Sequence, residues 1–192
     1  ASGMGEAMGA VADDVSAMYW NPAGLGFIKD MQVMTAHHQL YSDISECYHN
    51  FIGVVTPLKG INGAIGAGII HLDQGINPIM KEYDGMGSLE QTGEFRSRDI
   101  VAIVSYGQGL NKNIAFGAAM KYIDSKLYVD HDGHALAVDV GVLARDVPRK
   151  GLNIGLSLAN YGNKIYYQNK SQAATLPLTL RFGIGYRIND EF

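Results

Sequence analysis

A single cysteine, Cys47, stands in the 192 residues, so no disulfide closes within the chain, and an oxidising compartment is neither required nor excluded. Charge is sparse: 18 % of residues carry it, against about 25 % in an ordinary soluble domain. No stretch of roughly 18 apolar residues occurs, which excludes a transmembrane helix. It does not exclude barrel strands, which need only about 9–11 alternating residues each. There is no run of Lys or Arg, and with a net charge of -4 this argues against a nucleic-acid partner. No serine or cysteine sits in a recognisable nucleophile setting. The glycines of GMGEAMG follow no strand and miss the G-x-G-x-x-G spacing, so no phosphate cradle is expected. The reading is of a protein that is not an enzyme and needs no cofactor or metal. No signal peptide is visible; if the protein crosses an inner membrane, that segment was removed or lies outside this chain.

What the chain does have is glycine, 24 residues of it, and a two-residue alternation. Leu152, Ile154, Leu156 and Leu158 point one way, and Asn153, Gly155, Ser157 and Ala159 the other. Further on, Leu176, Leu178, Leu180, Phe182, Ile184, Tyr186 and Ile188 oppose Thr179, Arg181, Gly183, Gly185 and Arg187. Side chains alternate across a strand, so each apolar row is one continuous surface. A soluble sandwich would set Lys, Glu and Thr on its outer face. The less greasy rows here are too small and too sparsely charged for that. They suit the inside of a barrel whose oily outside meets lipid.

Eight strands are predicted from Met31 on, at 31–41, 47–57, 61–73, 98–108, 113–124, 134–145, 152–160 and 176–188. Alternation is cleanest in the last four, with Leu143 out of step; 47–57 is ambiguous, and Ile100 to Val104 is apolar on both faces. Tight connections near 57–62, 109–113 and 146–151 alternate with long polar ones at 74–97, 125–133 and 161–175. That is the habit of membrane barrels, with short periplasmic turns and long outer loops. Tyr41, Tyr106, Tyr122, Tyr161 and Tyr186 lie near strand ends, as in interfacial girdles, although strands favour tyrosine in any case.

The first thirty residues differ. They are rich in glycine and alanine and lack strand alternation, with Asp13 or Asp14 placed to cap a short helix to about Trp20. Pro22 suits a first helical position and Gly24 a helix end. Residues 1–30 therefore read as a compact, partly helical segment packed against something, and 31–192 as barrel strands. An eight-stranded barrel has room inside only for its own side chains, so either the N-terminal segment lies outside it or, the reading favoured, the chain is the front part of a larger barrel.

The segment MGAVADDVSAMYWNPAGLGF resembles the N-terminal signature of the FadL-like outer-membrane barrels, through Gly9, Ala12, Asp13, Asp14, Ser16, Ala17, Tyr19, Trp20, Asn21, Pro22, Ala23, Gly24 and Leu25. HLDQG at 71–75, GEF at 93–95, MKYIDSKL at 120–127 and ALAVDVGVL at 135–143 resemble the PorV/PorQ-type branch more than the fatty-acid transporters. The resemblance implies an all-β, antiparallel transmembrane barrel of about fourteen strands with the N-terminal segment folded inside as a hatch. It also implies the outer membrane of a Gram-negative-type bacterium and either of two roles. FadL-type members pass hydrophobic molecules such as long-chain fatty acids; PorV-type members receive exported proteins in type IX secretion.

Lys121, Asp139, Arg145, Arg181 and Arg187 fall on the small-residue face and are predicted to line the lumen, pairing with one another or pinning the plug through Glu6, Asp13 or Asp14. Asp139 in particular is expected to pair with a basic lumen residue, because an unpaired buried charge is costly. Met18, Tyr19, Trp20, Asn21, Pro22 and Gly24 of the plug, with Met4 and Met8, are candidates for touching a hydrophobic ligand, or simply fill space. His37, His38 and His49 could meet across the first hairpin, and Asp130, His131, Asp132 and His134 cluster in a loop; solvated side chains explain both. Asp130-His131-Asp132-Gly133 is half of a calcium loop without its glutamate. Three roles remain at this point: a passive channel for hydrophobic small molecules, a secretion component docking proteins through its long loops, and a soluble all-β binding module. The partners expected are outer-membrane lipid, then a small hydrophobic ligand or secretion-system proteins.

Overall fold

The computed structural model describes residues 8–41, 47–82, 89–128, 131–167 and 173–187, with the side chains of Tyr41, Tyr128 and His131 left aside. The fold is all-β. A four-residue helix, α1 (Ala17–Trp20), and a 3-10 helix (Pro22–Phe27) lead into β1 (Gln32–Tyr41), β2 (Cys47–Pro57), β3 (Gly63–Glu82), β4 (Leu89–Gly109), β5 (Ile114–Tyr128), β6 (His131–Ala144) and β7 (Leu152–Gly162). Two short strands, β8 (Ile165–Tyr166) and β9 (Ala173–Ala174), precede β10 (Thr179–Tyr186). Strands β1 to β7 and β10 pair in chain order into one antiparallel, curled sheet of eight strands, a half-barrel. Every expected strand is present.

Their ends differ from the reading above, for a physical reason. The long connection expected at 74–97 is an extension of the β3–β4 hairpin, paired from Ile76–Arg96 out to Glu82–Leu89. The polar residues that suggested a loop are the solvated flanks of a ribbon. Likewise 125–133 is mostly strand, and 161–175 includes the small β8–β9 hairpin. The final strand is shorter than 176–188, ending at Tyr186 within the described residues. Glu6, Met4 and Asp130 lie outside those residues.

The apolar rows face outward, half-exposed to exposed, and the small-residue rows face inward, buried in the central strands and half-buried on the edge strand β10. Leu156 is 48 % and Leu180 69 % accessible, whereas Gly155, Ser157 and Ala159 are buried. Leu143, out of step in the sequence, points inward and is fully buried. The strands that alternate poorly are those whose inner face also meets apolar atoms: Phe51, Val55, Ile70 and Ile103 form a core with Val15, Met18 and Leu25 of the N-terminal segment. That segment occupies the trough of the half-barrel.

It lies so close to the sheet that side chains are excluded. In register across β4, β5 and β6 stand Gly107, Gly117 and Gly141. A Cβ on Gly117 would come within 2.2 Å of the Pro22 carbonyl carbon, one on Gly141 within 2.1 Å of Asn21 Oδ1, and one on Gly107 within 2.6 Å of Leu25. The helix expected up to Trp20 is a single turn, and neither Asp13 nor Asp14 caps it. Ser16 holds the N-cap position, while Asp14 Oδ1 accepts from the Ser16 amide and hydroxyl at 2.8 and 2.6 Å. Gly24 is not a helix end but lies inside the 3-10 helix. A Cβ there would meet the Ala12 carbonyl oxygen at 2.2 Å.

Gly117→Ala is therefore expected to lower stability by about 1–3 kcal/mol through overpacking against immobile backbone. Gly93→Ala, where the added methyl meets only the flexible end of Ile79 at 3.4 Å, should change it by less than about 0.5 kcal/mol. Urea unfolding followed by the fluorescence of Trp20, the sole tryptophan, measures both.

Candidate functional site

The candidate site is the seam between the N-terminal segment and the concave face. Asn21 is its centre. Fully buried, it donates from Nδ2 to the carbonyl oxygens of Gly9 (2.9 Å) and Val142 (3.2 Å), and its Oδ1 accepts from the Ala23 amide at 3.2 Å. One side chain thus closes a loop within the segment, caps the 3-10 helix and ties both to β6. Pro22 follows at the first helical position, where its missing N–H leaves nothing unpaired. Around this staple, Ser157 Oγ donates to the Trp20 carbonyl at 3.1 Å and Arg145 Nη2 to the Ala12 carbonyl at 3.1 Å. The Arg145 guanidinium also covers the Phe27 ring at 4.4 Å.

Lys121 and Asp139 come together. Both are inward and all but sealed, with 4 % and 1 % of their side chains accessible, and Lys121 Nζ lies 2.5 Å from Asp139 Oδ2. Asn160 completes the arrangement: its Oδ1 accepts from Lys121 Nζ at 3.1 Å and its amide donates to Asp139 Oδ1 at 2.8 Å. This places Asn160 at φ 63°, where the β6–β7 register slips. Removing either partner of such a pair strands a charge in low dielectric.

Above the pair lie the aromatics. Tyr19 and Trp20 meet edge to face at 5.0 Å. Lys121 Nζ and the Arg181 guanidinium each approach the Tyr19 ring at 5.3 Å, and Arg181 also approaches Trp20 at 5.6 Å. Arg181 Nη1 donates to the Tyr19 carbonyl at 3.4 Å. Two cations over one ring hold the tip of the segment without a carboxylate on it. Of the expected pinning, Asp13 lies close enough to Arg145 to attract its guanidinium, Asp14 is spent on its own turn, and backbone carbonyls and ring faces also receive Arg145 and Arg181.

Of the six segment residues singled out from the sequence, Met18, Asn21, Pro22 and Gly24 are buried against the sheet, and Tyr19 and Trp20 are partly open to the trough. Met18 fills the hollow over Gly53, Gly66 and Gly68, so it acts as packing. Arg187 stands at the rim, 54 % accessible, with Nη2 3.3 Å from Asp146 Oδ1 of the β6–β7 turn. Asn160 and Ser157 were missed by the sequence reading, since a polar residue on a small-residue face gives no sign of its partner. His38 does face His49 in register, and His37 Nδ1 lies 2.6 Å from Asn50 Oδ1. His134 stacks on Tyr122 and approaches Asp124 at 3.3 Å. Among the described residues no three His, Cys, Asp or Glu side chains converge to hold a metal.

Lys121→Met should cost about 3–5 kcal/mol by leaving the Asp139 carboxylate unpaired, and Lys121→Met with Asp139→Leu should recover most of it. Urea midpoints of the two variants decide this; an unchanged single variant would sink the assignment.

No family model matches the chain, and no curated protein matches it in sequence. Its function therefore rests on the geometry.

Proposed function

We propose that this half-barrel is part of an outer-membrane β-barrel wall, with the N-terminal segment as its plug, that serves as a passive path for hydrophobic small molecules. The observation that carries this reading is the convex face. From Ile114 to Tyr122, Leu136 to Ala144, Ile154 to Leu158 and Leu180 to Tyr186, no outward side chain is charged. Val104, Met120, Phe182 and Ile184 are 58–66 % accessible. A monomer in water rarely leaves more than a few hundred Å² of contiguous apolar surface bare. The apolar span on β5 or β6 is nine residues, roughly 27 Å along the strand and about 20 Å tall at a 40° tilt, close to the apolar band of outer-membrane barrels. Tyr122, Tyr161 and Tyr186 are exposed near its edges, as girdle residues would be. A hollow of about 360 Å³ between Phe116, Ala118, Val140, Leu156 and Leu180 is lined by apolar atoms and fits an acyl chain better than water. The Tyr19–Trp20 tip, flat and flanked by cations, is the part of the plug that a passing amphiphile would touch.

One observation favours the second reading, protein docking as in PorV-type secretion components. Among the described residues, β3 and β4 beyond Gln74 and Arg98 pair only with each other and leave Ile76, Met80 and Leu89 about half exposed. Asp73 braces the exit, with Oδ1 2.9 Å from both the Gly75 amide and Arg96 Nε. Two-stranded ribbons are marginal in water without a third element. The other long connection is less suited to recognition, since Tyr167 turns back onto Ser125 at 2.9 Å.

Val140→Arg distinguishes the membrane reading from a soluble module. In bilayers it should cost about 2–4 kcal/mol, whereas an exposed site on a soluble sheet would tolerate it within about 0.5 kcal/mol. For transport, vesicles carrying the protein should take up a long-chain fatty acid faster than empty ones. Uptake no faster than the control would remove the channel reading and leave docking.

A further inference from the structure

The chain has no basic run, yet the fold gathers one. Lys59 sits in the β2–β3 turn, Lys112 in the β4–β5 turn, Arg149 and Lys150 in the β6–β7 turn, and Lys29 where the N-terminal segment enters β1. Antiparallel pairing in chain order brings these turns to one end of the sheet, and all five side chains are exposed there. Among the described residues the carboxylates at this end are Asp13, Asp30 and Asp146. Asp13 lies near Arg145, and Asp146 accepts from the Gly151 amide at 2.7 Å and pairs with Arg187. The chain as a whole is acidic, at -4, so this end departs in sign from the rest. The opposite end mixes Lys81, Arg98 and Lys126 with Glu82, Glu90, Glu94 and Asp132.

A second observation concerns what stands beside the cations. Ile61 follows Lys59 by two residues and is 49 % accessible; Leu110 precedes Lys112 by two and is 63 % accessible; Met31 follows Lys29 by two and is 67 % accessible. Three separate turns thus pair a bare apolar side chain with a cation at the edge of the apolar band. Apolar groups at that depth enter the acyl boundary, and long basic side chains reach from it to phosphate. Connections this tight hold their residues within the head-group layer.

We propose that the tight-turn end binds the phosphate groups of anionic phospholipid in the leaflet it meets, an inference that rests on the membrane reading above. An acidic protein would be drawn to the same charge, but it would gain nothing from Ile61, Leu110 and Met31 buried beside it in lipid.

The test uses the full protein in nanodiscs of equimolar phosphatidylglycerol and phosphatidylcholine, with native mass spectrometry reading the retained lipid. Phosphatidylglycerol should be enriched about tenfold, because each cation near a membrane surface favours anionic lipid several-fold. The combined variant Lys29→Gln, Lys59→Gln, Lys112→Gln and Arg149→Gln should fall to near parity, and 0.5 M salt should weaken the preference. Lys81→Gln with Arg98→Gln and Lys126→Gln, at the other end, should keep it. Parity in the unaltered protein, or enrichment that survives the first variant, overturns the inference while leaving the membrane reading intact. Parity together with salt-sensitive binding of polyglutamate would reassign the rim to an acidic protein and overturn it as well. Failure to enter any bilayer would overturn the membrane reading itself.

Discussion

The structure depends on backbone meeting backbone. Where the N-terminal segment crosses β4, β5 and β6, glycine in three adjacent strands lets the main chain of Pro22, Ala23 and Gly26 and the side chain of Asn21 rest directly on the sheet. Everything else at the seam follows from that approach. Asn21 reaches the Val142 carbonyl only at this distance, and Arg145 and Ser157 find segment carbonyls as acceptors for the same reason. Glycine is costly inside a strand, and the offset is the contact it permits.

The sealed polar cluster beside the seam works on a different principle. Lys121 forms an ion pair with Asp139, and Asn160 accepts from the lysine and donates to the carboxylate, with Tyr19 laid over the lysine. Such a pair adds little net stability over well-packed apolar residues. What it does is single out one register: a two-residue slip of β7 against β6 would carry Asn160 away and strip the Lys121–Asp139 pair of its third partner. The polar grip is thus specific where the glycine seat is merely close.

Much of the architecture was legible because strand faces advertise themselves. Rows such as Leu152–Leu158 and Leu178–Tyr186 show which side is oily, and the structure turns those rows outward. Strand ends were less legible, since the solvated flanks of the β3–β4 ribbon carry the same polar residues as a loop. The short helix was misjudged at Asp14, because an aspartate two residues before a serine closes a local turn as readily as it caps a helix. Pairing of Asp139 could be anticipated from the cost of burying it alone, but the choice of Lys121 over Arg181 or Arg145 depends on a register that no local pattern encodes. Asn21 was noticed as part of a motif; its role as a staple between Gly9 and Val142 needed the fold.

The row of Gly107, Gly117 and Gly141 has a consequence for how such a sequence can drift. A methyl added at Gly107 or Gly117 meets the same main chain at Pro22, one at Gly141 meets the Asn21 side chain just before it, and a segment lifted by one of them no longer collides with a second methyl next door. Alanines placed at two of these positions together should therefore be less harmful than the sum of each alone, a strong epistasis among neighbours. The three sites behave as one inherited character, kept or abandoned as a set.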